Sequence, residues 1–280
     1  MEGGGSVPGA VLPLPGTGED APVSPDRVNA GDPARTLALL WRDPAAVPTR
    51  GPRRTHDLDA VVAAALALAD EQGLPALTTR RVAERLGIST MSLYTYVADR
   101  AELLDLMLDA AYLGMDRTDT TGRPWRERLA AVATENRGLY EAHPWAAEVS
   151  TARPSLGPGQ TAKYEHELAA LDDAGGEGGL DDVTRDACLT HLLVFVRACA
   201  RDAADARATA AESGSDREWW SSVAPLLTRV LDPVRYPRAV RVGAAAGEAA
   251  GSAHDPDRAY AFGLDRLLDG LAPLLDAPLS

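Results

Sequence analysis

Between Leu77 and Leu108 the chain reads LTTRRVAERLGISTMSLYTYVADRAELLDLML, and its side chains suit contact with duplex DNA. Thr90, Met91, Ser92, Tyr94, Thr95 and Tyr96 are expected on the outward side of a short helix spanning Thr90 to Val97. Hydroxyls there can donate to or accept from base edges and phosphates, and Met91 can meet a thymine methyl. Arg80, Arg81 and Arg85 add positive charge one helix earlier. Val82, Leu86, Ile88, Leu93 and Val97 fall where two short helices need a shared core, and Gly87 supplies the turn between them. An ordinary corner inside a helical protein has the same periodicity. The Tyr94-Thr95-Tyr96 run weighs against that reading, because a buried corner does not set such residues beside solvent.

A second set of chemistry-bearing residues lies downstream. Asn136, Tyr140, His143, Trp145, Arg153, His191 and Phe195 sit on otherwise apolar helices, the mixture a small-molecule pocket uses. Each also fits a satisfied core or surface residue. There is no Gly-rich phosphate loop, nucleophile elbow or HExxH, so the chain does not read as an enzyme. Its five histidines have no ligand spacing with each other or with Cys188 and Cys199, so neither a metal nor a cofactor is expected. The two cysteines read as reduced core residues, roughly 16 Å apart if they share a helix.

The elements that must position these groups are helical. Hydrophobic residues make up 45% of the chain but aromatics only 5%, which favours an all-α fold. Residues 1–54 hold nine of the 20 prolines and eight of the 25 glycines, and are expected as a disordered arm, with a short helical patch at TLALLW. That arm is either a solvated linker or, through Arg50, Arg53 and Arg54, a contact to phosphate or minor groove. A helix from Leu58 to Gln72, stopped by Gly73, forms the third wall of a helix-turn-helix. Another runs from Arg100 to about Leu113, with Asp99 and Glu102 placed for a capping box. Further helices are expected at Trp125–His143, Tyr164–Ala174, Leu180–Ala211, Glu218–Leu231 and Pro256–Leu275, while 232–255 has no assigned structure.

Net charge is −13, unusual for a partner of polyanions, but residues 50–100 carry +1 and the remainder −14. Acid is thus kept away from the expected DNA face. No 18-residue apolar run exists and MEGGGSVPG is not a leader, so a cytoplasmic protein without membrane contact is expected.

From Leu58 to Tyr112 the chain resembles the DNA-binding domain of the tetracycline-repressor (TetR) family, through LTTRRVAERLG, IS, TMSLYTYV and ELLDLML. Trp125 to Pro154, with His143 and TARP, and AYAFGLDRLLDGL resemble that family's ligand-binding half. The resemblance implies three parts: the arm 1–54, an N-terminal three-helix helix-turn-helix domain at 55–115, and a larger C-terminal ligand-binding and dimerisation domain at 116–280. It implies a homodimeric regulator, most readily a repressor, that binds a palindromic double-stranded operator and is released by a small-molecule effector. By position, Arg80, Thr90, Met91, Ser92, Thr95 and Tyr96 would meet bases or adjoining phosphates, and Thr79, Tyr94 and Arg100 the backbone. Helices 180–211 and 256–275 would form a four-helix dimer interface. Their stripes Leu189, Leu192, Leu193, Val196, Ala200 and Tyr260, Leu264, Leu267, Leu268, Leu271 fit monomer core equally well; Ala261, Gly263 and Gly270 would permit close approach. The chain departs from the tetracycline repressor where that protein holds its drug: the magnesium-binding histidine falls on Val149, the drug-contacting asparagine on Val132 and a later acidic residue on Arg201. Magnesium-tetracycline is therefore not the expected effector; an apolar or aromatic ligand near Arg153 is. The other reading is a helical small-molecule-binding protein or enzyme with an incidental helical corner.

Overall fold

The computed structural model describes residues 32–43, 56–175 and 179–276. Its helices start where short polar side chains accept from first-turn amides: Asp57 from Ala60 N at 2.8 Å, Ser89 from Ser92 N at 3.1 Å, and Asp99 from Glu102 N at 2.9 Å. These caps define α2 (Leu58–Gln72), α3 (Thr79–Leu86, capped by Thr78), α4 (Thr90–Leu93) and α5 (Arg100–Gly114). Preceding them is α1 (Pro33–Leu40), begun by Asp32 and a first-position proline. Prolines also open α7 (Pro144–Glu148) and α8 (Pro158–Ala169), after α6 (Trp125–Ala142). The chain continues with α9 (Asp182–Ser213), α10 (Asp216–Val230), α11 (Pro237–Ala250) and α12 (Pro256–Leu275). Among the described residues these twelve helices are joined by turns and no strand, an all-α fold.

The small N-terminal head packs α2 against α3 and α3 against α4, with Val61, Val62, Ala65, Val82, Ala83 and Leu93 in its core. From it α5 runs into the larger half, buried along most of its length and lying against α1, α2 and α8. Contact with α8 is close: a Cβ on Gly159 would lie 1.9 Å from the Asp109 carbonyl oxygen, so only glycine fits there. In return the Asp109 carboxylate accepts from Gln160 N at 2.8 Å and caps α8. In the larger half, α9 packs against α6, α7 and α12. By contrast α10 and α11 bury no residue.

Several sequence expectations change. The short helical patch expected at TLALLW within the arm is α1, which starts earlier, at Pro33, and buries Thr36 and Leu40 against α5; residues 1–31 and 44–54, with Arg50, Arg53 and Arg54, lie outside the described residues. Leu39 and Leu40 supply enough apolar surface for one docked helix despite the proline-rich flanks. The unassigned 232–255 contains α11. The helix expected at Tyr164–Ala174 instead spans Pro158–Ala169, because Pro158 starts it. Glu102 caps the Ala98 amide and not that of Asp99, and is drawn to Arg35 of α1 at 2.9 Å.

Candidate nucleic-acid interface and effector cavity

The turn at Gly87, left-handed at φ 68°, delivers Ser89 to cap α4 and sets α4 beside α3. Arg80, Met91, Ser92, Tyr94 and Thr95 are exposed on that face, Met91 to 75%, while Thr79 and Thr90 are half-buried. Tyr94 Oη lies 3.5 Å from Thr79 Oγ1, and Thr95 Oγ1 donates to Ser92 O at 2.7 Å. Arg80 pairs with Glu84 at 2.8 Å and Arg85 with Glu71 at 2.6 Å, so the expected positive charge is partly matched within the head. Both are solvated pairs, worth little, that a phosphate can displace.

Two expected DNA contacts are corrected. Regular helix stops at Leu93, and the chain winds more tightly through Thr95 N to Ser92 O and Tyr96 N to Leu93 O bonds at 3.1 and 2.9 Å. This turns Tyr96 inward, 5% exposed, with its hydroxyl donating to His56 O at 3.0 Å. Tyr96 is a core residue of the head. Arg100 also points inward, donating to Leu77 O at 2.9 Å and Leu74 O at 3.0 Å, so it ties the turn before α3 onto α5.

At the far end of α5, a cavity of about 520 Å³ opens among α5, α6, α8, α9 and the 151–156 loop. Tyr112 and Tyr140 form one wall; Leu189 and Leu193 form another; Lys163 and Arg197 bring charge. Lys163 Nζ donates to Glu167 Oε1 at 2.6 Å, and Asn136 Nδ2 donates to the same oxygen at 2.6 Å. Burial pulls the Lys163 ammonium below its ordinary pKa, against the pull of Glu167. Burial also pushes the Tyr140 phenol up to about 12 and the Tyr112 phenol higher still. Arg197 donates to Ala147 O at 2.9 Å, Thr151 Oγ1 at 2.7 Å and Val149 O.

Only some of the expected ligand residues converge here. Tyr140 lines the cavity; Asn136 lies behind it, wholly buried. Val132 and Val149 are core side chains that do not reach the lining. His143 instead joins the two halves: its Nδ1 lies 2.8 Å from Asp70 Oδ1 on α2, which also accepts from Trp145 Nε1 at 2.7 Å. Arg153 and His191 are exposed and outside the lining, because Arg153 follows the turn after α7 and His191 sits on the outer face of α9. Phe195 faces α12, its ring centroid 5.8 Å from that of Tyr260. Arg197, Lys163 and Tyr112 were missed. Their helical positions resemble many others, and only the crossing of α5, α8 and α9 brings them together.

The dimer stripes also divide differently. Leu189, Leu192 and Val196 on α9, and Leu268 and Leu271 on α12, form the protomer's own core, with Leu193, Ala200, Tyr260, Leu264 and Leu267 partly buried against it. Gly263 makes room for the Phe195 ring, which a Cβ there would meet at 2.6 Å. The apolar groups left outward are Val183 and Val194 on α9 and Phe262 and Leu274 on α12.

A helix-turn-helix head joined by one helix to a helical body with an internal cavity is the architecture of a one-chain regulator. The "Bacterial regulatory proteins, tetR family" profile matches residues 61–107, and "Tetracyclin repressor-like, C-terminal domain" matches residues 119–275. The HTH-type transcriptional repressor DrrR1 of Streptomyces coeruleorubidus is 39% identical over 255 residues, 90% of each chain. Tetracycline repressor protein class C of Escherichia coli is 29% identical over 216 residues, 76% of this chain and 89% of that one. The solved structure of the TetR family protein ActR from Streptomyces coelicolor in complex with actinorhodin superimposes with TM-score 0.66 at 25% identity, covering 80% of this chain and 99% of that one. The chain belongs to the TetR family: it is a ligand-responsive, DNA-binding transcriptional regulator and not an enzyme. Regulators of this family bind DNA operators as dimers and respond to small-molecule effectors. Among the described residues no helix is long and apolar enough to cross a membrane.

Proposed function

We propose that this chain is a repressor that reads a palindromic operator through Arg80, Met91, Ser92, Tyr94 and Thr95, with Thr79 and Thr90 beside them, and lets go when an aromatic small molecule fills the α5–α9 cavity. The observation that carries this reading is α5 itself. Its first turn, through Asp99 and Glu102, holds the end of the reading segment, and Tyr112 in its last turn lines the cavity. A helix of fifteen residues is about 22 Å long and stiff, so a ligand that tilts one end displaces the other. Ligand and DNA then favour different placements of the two heads, a reciprocal linkage.

The homodimer forms through the outward faces of α9 and α12, with Val183, Val194, Phe262 and Leu274 supplying the apolar contact and exposed Ala261 and Gly270 allowing close approach. Magnesium-tetracycline is not the effector: the Val149 side chain has no lone pair for a metal and the Val132 side chain no group to bond the drug. The ActR neighbour was solved with actinorhodin, which makes a polycyclic aromatic a fitting probe.

Selection of bound duplexes from a random pool, followed by fluorescence anisotropy, tests the reading. The selected sequence is expected to be palindromic, actinorhodin to release it and magnesium-tetracycline to leave it bound. Phe262→Glu is expected to give monomers in sedimentation with the fold retained. A wild-type monomer on saturated duplex, or selection of no common sequence, would sink the proposal.

A further inference from the structure

We infer that the effector carries an acidic group, a carboxylate or an acidic phenol, and that Arg197 receives it. This deepens, and rests on, the assignment of the α5–α9 cavity as the effector site. Of the charged groups lining that cavity, Lys163 is matched by Glu167 at 2.6 Å, and Asp186, exposed at the mouth, accepts from the Tyr164 hydroxyl at 2.8 Å. Arg197 alone among them faces only neutral acceptors, the two carbonyls and one hydroxyl at 147, 149 and 151. A guanidinium has five N–H groups, so two on its terminal nitrogens remain beyond those three bonds. Carbonyls orient the group but do not neutralise it, and a half-buried cation without a counter-charge favours an anionic partner.

The surroundings fit an acid. The phenols of Tyr112 and Tyr140, 5% and 7% exposed, line the same cavity, and among the described residues neither hydroxyl has a hydrogen-bond partner. The charge of Arg197 reaches both phenols and opposes the effect of their burial, while Glu167, itself matched by Lys163, acts in the other sense. Two hydroxyl donors and the free edge of a guanidinium can together hold a carboxylate or phenolate, while Leu189 and Leu193 cover an attached ring system. A cationic ligand would meet the like charge of Arg197, because Glu167 is already matched by Lys163 and Asp186 lies exposed at the mouth.

The test uses the full-length protein with anthraquinone-2-carboxylate and its methyl ester as probes, titrated by calorimetry. The acid is expected to bind at least about tenfold more tightly than the ester, the scale of one charge-assisted hydrogen bond. Arg197→Gln is expected to remove that preference without weakening the ester, and Arg197→Lys to restore part of it. Since Arg197 also holds the 147–151 segment, the acid–ester difference on the unaltered protein is the deciding measurement. Leu193→Trp, which fills the cavity, is expected to abolish binding of both probes. Equal affinity for acid and ester, with Leu193→Trp still blocking both, would overturn the charge inference and leave the cavity standing. Binding untouched by Leu193→Trp, or no binding of either probe, would overturn the cavity assignment and the inference with it.

Discussion

From residue 56 to 97 the head buries no polar or charged side chain apart from the phenol of Tyr96, whereas the effector half encloses Glu135, Asn136, Lys163 and Glu167. Both regions are helical and of one chain, so the difference reflects what each must do. The head needs a rigid apolar scaffold that presents a fixed polar face to a groove. The effector half needs space and fixed charge inside, and holds a cavity bordered by an ion pair at a cost in stability. At their junction α5 carries buried Glu102, Asp105 and Asp109, and α1 clips the two regions together. Arg35 meets Glu102, Arg42 meets Asp59 on α2, and Trp41 Nε1 donates to Leu156 O at the cavity rim at 3.1 Å.

The largest expected effect falls on the buried pair. Glu167→Gln leaves Lys163 buried without its counter-charge and is expected to destabilise the protein by about 3–5 kcal/mol in urea melts, while Lys163→Met with Glu167→Met recovers most of that loss. The lysine's folded pKa is depressed, so the folded state binds its proton less readily than the unfolded chain, and the loss in Glu167→Gln should shrink as pH rises. If the single variant melts like the wild type, the contrast between an apolar head and an ion-bearing body has no energetic content.

Next come the reading residues. Met91→Ala and Tyr94→Ala are each expected to weaken operator binding by about 1–3 kcal/mol in anisotropy titrations, with thermal unfolding unchanged because both side chains are exposed. A drop in melting temperature with no change in DNA affinity would reverse the roles assigned to that face.

Tyr96→Phe is expected to do the opposite. Losing the bond to His56 O costs about 1 kcal/mol of stability, with operator affinity per folded molecule retained. Loss of affinity without loss of stability would return Tyr96 to the DNA face.

The smallest effect is at the junction. Burial raises the pKa of Asp109, so the folded state holds its proton more readily than the unfolded chain and this residue's contribution to stability falls as pH rises. Asp109→Asn keeps an acceptor for the α8 cap and is expected to be slightly more stable than wild type at neutral pH, with the gain vanishing in acid. Parallel denaturation curves at pH 5 and pH 8 would show it.

The head was legible because its signals are local. Gly73, Gly87 and Asp99 stand where a stop, a turn and a cap were expected, and Asp57, Thr78 and Ser89 cap their helices through contacts equally local. The apolar stripes of α9 and α12 were legible as stripes, but periodicity does not say whether a partner is intramolecular. Packing of α9 against α6 and α12 made them core and left Val183, Val194, Phe262 and Leu274 outward on the other faces. Tyr96 escaped because a tightened last turn, invisible in residue types, rotates it inward. Arg153 and Arg197 differ in nothing the sequence displays; a fold that points one into solvent and the other into a cavity separates them. The sequence by itself determined most of the helices and the turn between α3 and α4, since these depend on contacts a few residues apart. Tertiary structure alone decided the docked α1 clip, the buried Lys163–Glu167 pair and the phenol-lined cavity, because each depends on contacts between segments far apart in the chain.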